Sequence, residues 1–167
     1  DDRVYAETMR PGGDINVEEA WKLAAGDPSL TVAIVDQGIK YSHPDLAANM
    51  WINKAEQSGT TGRDDDGNGY ADDVYGYNFA LGTSRLTWDV EAYDDKGKNV
   101  GDSGHGTHVA GTVAAVSNNG VGVSGIAGGT VRNDGVNPMS CQIFSGGEGG
   151  SAAVSAEAIK YAADNGA

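Results

Sequence analysis

Gly101-Asp102-Ser103-Gly104-His105-Gly106-Thr107-His108-Val109-Ala110-Gly111-Thr112-Val113-Ala114-Ala115-Val116 reads as a polar loop that turns into a helix of almost entirely small side chains. Gly106 and Gly111 each disfavour a helix interior by roughly 1 kcal/mol relative to alanine, so a helix that keeps both is expected to bring its backbone close to something. Ser103 or Asp102 is the expected acceptor for the first free N–H groups of a helix over 105–116. That places His105 on the opening turn, presented to the space above it. His108 follows three residues on along the same face. The pair admits three readings. They are two hydrogen-bonded rings in a packed helix, or a general base at His105, because imidazole accepts and returns a proton near neutral pH. Zinc on both rings is the third, and the i, i+3 spacing without an intervening glutamate matches it poorly.

Upstream, Leu30-Thr31-Val32-Ala33-Ile34-Val35 is short, β-branched and apolar at consecutive positions. That is the pattern of a central parallel strand, here over 31–36, covered by helices on both faces. It stops at Asp36. Ligands of open α/β sheets gather beyond the carboxyl ends of the strands, so a carboxylate there is placed for chemistry; a cap on the following turn is the plainer alternative. Downstream, Met139-Ser140-Cys141-Gln142-Ile143-Phe144 reads as a second buried strand, followed by a glycine-rich loop over 145–150. A helix is predicted over 151–163, with Val154, Ala158, Ile159, Tyr161 and Ala162 as its apolar stripe and Asn165-Gly166 as its stop. At the other end, residues 1–13 read as an irregular arm, and Asp14 or Asn16 as the cap of a short helix carrying Val17, Ala20, Trp21, Leu23 and Ala24. The fold class expected is α/β, a parallel sheet flanked by helices.

Between strand and helix lies Arg63-Asp64-Asp65-Asp66-Gly67-Asn68-Gly69-Tyr70-Ala71-Asp72-Asp73. Asp64, Asp66 and Asn68, the Tyr70 carbonyl and Asp72 fall at the ligand spacing of a calcium loop, with Gly69 at the turn position. Tyr75 stands where the closing glutamate of an EF-hand belongs, so the loop is of another kind. Converging carboxylates need a hard cation to offset their repulsion, although acid-rich runs are commonly solvated faces. Residues 54–63 and 80–102 read as polar loops, the second with no evident task.

Gly104-His105-Gly106-Thr107-His108-Val109-Ala110-Gly111-Thr112 is similar to the histidine motif of the subtilisin-like serine proteases. Ile34-Val35-Asp36-Gln37-Gly38-Ile39, followed by Ser42-His43-Pro44-Asp45-Leu46, resembles their aspartate motif. The two occur in the family's order. The resemblance makes His105 the general base and Asp36 the carboxylate that accepts from one ring nitrogen and stabilises the imidazolium. Gly76-Tyr77-Asn78-Phe79 resembles a strand that follows aspartate-rich insertions in some members. The 116–123 segment resembles a loop that wraps a tightly held calcium, which implies Asp45, Asn119 and the carbonyls of Val116, Val121 and Val123 as ligands. Asn118-Asn119-Gly120 is equally an ordinary turn signal. A further ligand that the family takes from its amino-terminal arm has no identifiable counterpart.

The resemblance spans residues 1–167 as the amino-terminal portion of a family peptidase domain, incomplete at its C-terminus. The family's Gly-Thr-Ser-Met-Ala nucleophile motif and its oxyanion asparagine have no match here. Three expectations follow: a fragment of a secreted or extracytoplasmic endopeptidase acting on proteins or peptides, one half of a two-chain enzyme whose serine sits on a complementary C-terminal half, or a non-catalytic, calcium-stabilised binding module. Composition narrows the partners. With 11 basic against 24 acidic residues the formal charge is −13, which argues against nucleic acid and anionic membrane surfaces. No apolar run reaches the about 18 residues of a membrane span, and Asp1-Asp2-Arg3 does not open a signal peptide. Cys141 is the single cysteine, so the chain forms no internal disulfide.

Overall fold

The computed structural model describes residues 13–167; the expected irregular arm lies almost wholly outside the described residues. Strand β1 (Thr31–Gln37) pairs in parallel with β3 (Asn137–Ser145), which pairs in parallel with β2 (Gly76–Asn78). The short β4 (Glu148–Gly149) returns antiparallel on β3. The helices are α1 (Val17–Trp21), α2 (Lys54–Ser58), α3 (His105–Ala114) and α4 (Ala152–Asp164).

Side-chain alternation along β1 and β3 distributes the core between the two faces of the sheet. Val32 and Ile34 pack with Ile39, Leu46, Met50 and Ala110, on the side of α3. Ala33 and Val35 pack with Met139, Cys141, Ile143, Phe79, Ala158, Tyr161 and Ala162, on the side of α4. Asp36 continues the Val32–Ile34 parity, so the strand period itself delivers its carboxylate to the face that carries α3.

Several expectations are corrected. The central strand is β3, not β1; among the described residues β1 has a strand neighbour on one side only, and most of its side chains stay half-buried. Helix α1 is shorter than expected and buries none of its residues. Asn16 sits at its N-cap with a left-handed φ of 51°, not the extended backbone of a capping residue, and makes no side-chain cap bond; Asp14 accepts from the Asn16 N–H. Leu23 lies beyond its end, exposed. Residues 54–58, read as loop, form α2: Asn53 Oδ1 accepts from the Ala55 N–H at 3.2 Å and the Glu56 N–H at 3.5 Å.

Helix α3 stops at Ala114 rather than at 116. Ala115 is extended, and Val116 N donates to the Asp45 carbonyl as the chain turns to wrap Asp45. The 80–102 connection is pinned at Thr87, whose N–H donates to Gln142 Oε1 and whose hydroxyl bonds Asp102 and Ser145. Helix α4 lies where it is expected, with Ser151 capping Val154 N and Ala158, Tyr161 and Ala162 buried, but Ile159, expected on the apolar stripe, is turned to solvent.

Candidate active site

His105 opens α3 directly beyond the carboxyl end of β1. Its Nδ1 lies 2.8 Å from Asp36 Oδ1 and 2.9 Å from Oδ2. The Asp36 side chain is 19% exposed and that of His105 63%, so the carboxylate is largely sheltered while the ring's far edge faces open space. Asp36 Oδ1 also accepts from the Gln37 N–H at 2.6 Å, which fixes the carboxylate against its own strand. With Nδ1 engaged, Nε2 is left as the basic nitrogen, the tautomer a proton acceptor requires.

The opening of α3 is not capped by Ser103 or Asp102. Gly104 holds the N-cap position at φ 73° without a side chain, and the acceptor arrives from β1: Gln37 Oε1 takes the Ser103 and His105 N–H groups, each at 3.1 Å. Asp102 instead receives the Thr87 hydroxyl and the Gly146 N–H. Gly106 meets its expectation of close approach, since a Cβ there would stand 2.0 Å from the Gln37 carbonyl oxygen. Gly111 does not, for nothing lies within 4 Å of such a Cβ. It faces an apolar groove of about 730 Å³, whose walls include Leu46, Trp88, His108, Val123 and Ile126. His108 therefore looks away from Asp36, and His43 accepts from the Asp45 N–H within its own turn at 3.2 Å.

The acidic loop is organised from below by Glu56 of α2. This buried carboxylate accepts from the Asp65 and Asp66 N–H groups on one oxygen and from the Asp72 N–H on the other. Oxygens of Glu56, Asp64 and Asp66 lie within 4.8 Å of one another, and none of the three is ion-paired among the described residues. Asp64 accepts from the Gly69, Gly67 and Asn68 N–H groups, which hold its carboxyl below the usual carboxylate range, the Gly69 bond most strongly. The remaining predicted ligands are less convergent. Asn68 Oδ1 accepts from Tyr70 N while its amide reaches Asp66 and Asp73, and Asp72 turns its carboxylate to the Gly62 N–H. Asp73 is fully buried under Tyr161, Asn53 and Asn68, and burial pushes its carboxyl up against the pull of those three donors.

In the second predicted cation site, Asp45 is 2% exposed. It accepts from Asn119 Nδ2 at 2.7 Å and Val123 N at 2.9 Å, while Asn119 Oδ1 takes the Val121 N–H. Residues 116–123 thus wrap Asp45, so closely that a Cβ on Gly122 would stand 2.2 Å from its Oδ2.

A model of the Subtilase family, Peptidase_S8, matches residues 27–167. The chain belongs to this family. Subtilisin-like protease 1 of Plasmodium vivax is 42% identical over 97 residues, 58% of this chain and 13% of that protein. Halolysin of Haloferax mediterranei is 33% identical over 166 residues, 99% of this chain and 25% of that protein. A solved protease of Pseudoalteromonas arctica PAMC 21717 aligns with 88% of this chain and 38% of its own, at a TM-score of 0.54 and 32% sequence identity. The subtilase chain therefore spans well under half of each of these relatives. Its parallel sheet flanked by helices is an amino-terminal portion of the family's domain, and it brings Asp36 and His105 into a contact consistent with a catalytic dyad.

Two residues of this subtilase site escaped the sequence reading. Gln37 carried no signal of its own, being one polar residue at a strand end. Glu56 did: Asn53 followed three residues later by Glu56 is a capping pattern, and recognising it would have put the glutamate on a helix beside the acidic loop.

Proposed function

We propose that this chain supplies the Asp–His half of a subtilisin-like endopeptidase site that hydrolyses peptide bonds of proteins or peptides. The observation that carries the reading is the contact of His105 Nδ1 with both oxygens of Asp36, at 2.8 and 2.9 Å. Asp36 holds the ring in one tautomer and balances the imidazolium. His105 Nε2 takes the proton of an attacking serine hydroxyl and returns it to the departing amine. The serine and the donors for the developing oxyanion belong to residues outside these 167, so the chain by itself does not hydrolyse peptides. The apolar groove beside α3, with Val123 and Ile126 exposed on its wall, supports a complementary half.

Calcium belongs to the same reading. Glu56, Asp64 and Asp66 converge without a cationic partner among the described residues, a donor set of hard oxygens that suits it. Asp72, Asn68 and the Tyr70 carbonyl are the proposed remaining ligands there. Asp45, Asn119 and the carbonyls of Val116, Val121 and Val123 are proposed for a second ion. A bound ion offsets carboxylate repulsion and stabilises the fold; it takes no part in proton transfer. Calcium loading of this kind accords with a secreted or extracytoplasmic enzyme.

The test is peptide hydrolysis by this chain joined to a serine-bearing carboxyl-terminal remainder. His105→Ala and Asp36→Asn are each expected to lower kcat by about 10⁴-fold or more while leaving KM nearly unchanged. Hydrolysis that survives both substitutions would remove the Asp36–His105 pair from the chemistry.

A further inference from the structure

Helix α3 begins without a cap of its own. Gly104 has no side chain to offer, and the opening N–H groups of a helix have no intrahelical acceptor. Gln37 fills that gap from another element. Its Oε1 accepts from Ser103 N and His105 N at 3.1 Å each and from the Ser103 hydroxyl at 3.3 Å. The β1–β3 register shifts between Asp36 and Gln37, so that Asp36 pairs with Gln142 but Gln37 with Phe144. Such an irregularity bends the strand and re-aims the side chain that follows it. Adjacent residues thus take hold of His105 at two points, Asp36 by the ring and Gln37 by the backbone. Two further contacts close the same joint, Gly106 against the Gln37 carbonyl and the Lys40 N–H donating to the Thr107 hydroxyl at 2.9 Å.

We infer that Gln37 is a positioning residue, an N-cap supplied by the strand, whose amide oxygen sets where His105 stands relative to Asp36. The inference deepens the proposed function and rests on His105 being the base of that site. Gln37 touches no reacting atom. It acts by holding the His105 backbone, so that the ring meets the Asp36 carboxylate without a search over loop conformations. The acceptor at this position has to be an oxygen on a long side chain. A hydrophobic side chain of the same length would fill the space and leave the N–H groups of 103 and 105 to solvent.

The experiment uses nuclear magnetic resonance on the 167-residue chain, which requires no peptidase activity. Its outcome is therefore independent of whether the protease reading holds; the hydrolysis test above addresses that reading by itself. Gln37→Met keeps the length and removes the oxygen, and Gln37→Glu restores an oxygen acceptor that a helix amino-terminus favours. In Gln37→Met the exchange protection of the Ser103 and His105 amides is expected to fall ~5–10-fold, the equivalent of one net hydrogen bond. The low-field proton of the His105 Nδ1–H bonded to Asp36 is expected to broaden or vanish, while the β1–β3 ladder amides keep their protection. Gln37→Glu is expected to restore both signals. Unchanged amides and an unchanged low-field proton in Gln37→Met would overturn the inference. So would equal losses in Gln37→Met and Gln37→Glu, or a loss in Gln37→Met shared by the ladder amides, since both would make Gln37 a packing residue only.

Discussion

Gly106 and Gly111 lie on one helix under opposite constraints, and alanine separates them. A Cβ at 106 would meet the Gln37 carbonyl oxygen at 2.0 Å, whereas one at 111 meets nothing within 4 Å. Gly106→Ala is expected to destabilise the chain by about 1–3 kcal/mol through overpacking. Gly111→Ala is expected to stabilise it by about 0.5–1 kcal/mol through helix propensity. Urea unfolding of both variants checks this, and equal destabilisation would contradict the open groove. A second expectation concerns alkaline pH. Burial pushes the Cys141 thiol up to about 12, and burial, together with donation to Asp73, raises the Tyr161 hydroxyl. The unfolded chain releases these protons near 9.0 and 10.0, so above about pH 9 the native state holds more of them. Stability therefore falls as pH rises from about 9, until native Cys141 itself ionises near 12. Urea midpoints between about pH 8 and about pH 11 should decline, and less steeply in Cys141→Ala; a flat profile would contradict the burial. Asp36 and His105 were legible through their resemblance to the family's aspartate and histidine motifs, because a strand-end carboxylate and a helix-opening imidazole alone leave plainer readings open. Gln37 was not, because its role exists only once strand and helix meet.

Helix α2 shows how one short element organises a loop whose anchor spacing alone does not reveal. Calcium-loop spacing gives Asp64, Asp66, Asn68, Tyr70 and Asp72 but not Glu56, which lies upstream of the loop, is buried beneath it and holds its backbone. Periodicity is blind to such a residue because a five-residue helix has too few turns to show an apolar face. The strand–helix framework was legible for the opposite reason: β1 and β3 carry consecutive apolar runs and α4 an apolar stripe over several turns. The edge position of β1 was not, since apolar composition reports covering of a strand's faces and says nothing about its neighbours. Asn53→Ala removes the α2 cap and the amide donors to Asp66 and Asp73, at 2.8 Å each. The fully buried Asp73 then keeps a carboxylate short of one donor, so a loss of about 2–3 kcal/mol is expected in urea unfolding. Calcium is tested at the same element. Excess chelator is expected to lower the melting temperature of the chain and to do so less in Glu56→Gln. A melting curve indifferent to chelator, with no calcium by elemental analysis, would leave the acidic run as ordinary solvated surface.

At the scale of the whole molecule, a formal charge of −13 on 167 residues sets up self-repulsion that salt relieves. Raising ionic strength from 0.01 M to 1 M shortens the screening length from about 30 to about 3 Å, so the melting temperature is expected to climb with sodium chloride. A fall would show that specific ion pairs outweigh the net charge. In the proposed site the base and its carboxylate lie within this chain while the nucleophile lies outside it. Mass spectrometry after treatment with a serine-directed phosphonate tests this division, applied first to the 167-residue chain alone and then to the same chain joined to a serine-bearing remainder. No adduct is expected on the isolated chain, and in the joined protein one adduct per molecule is expected, on the remainder, lost in His105→Ala. A stoichiometric adduct on any serine among residues 1–167, formed by the isolated chain, would contradict this division.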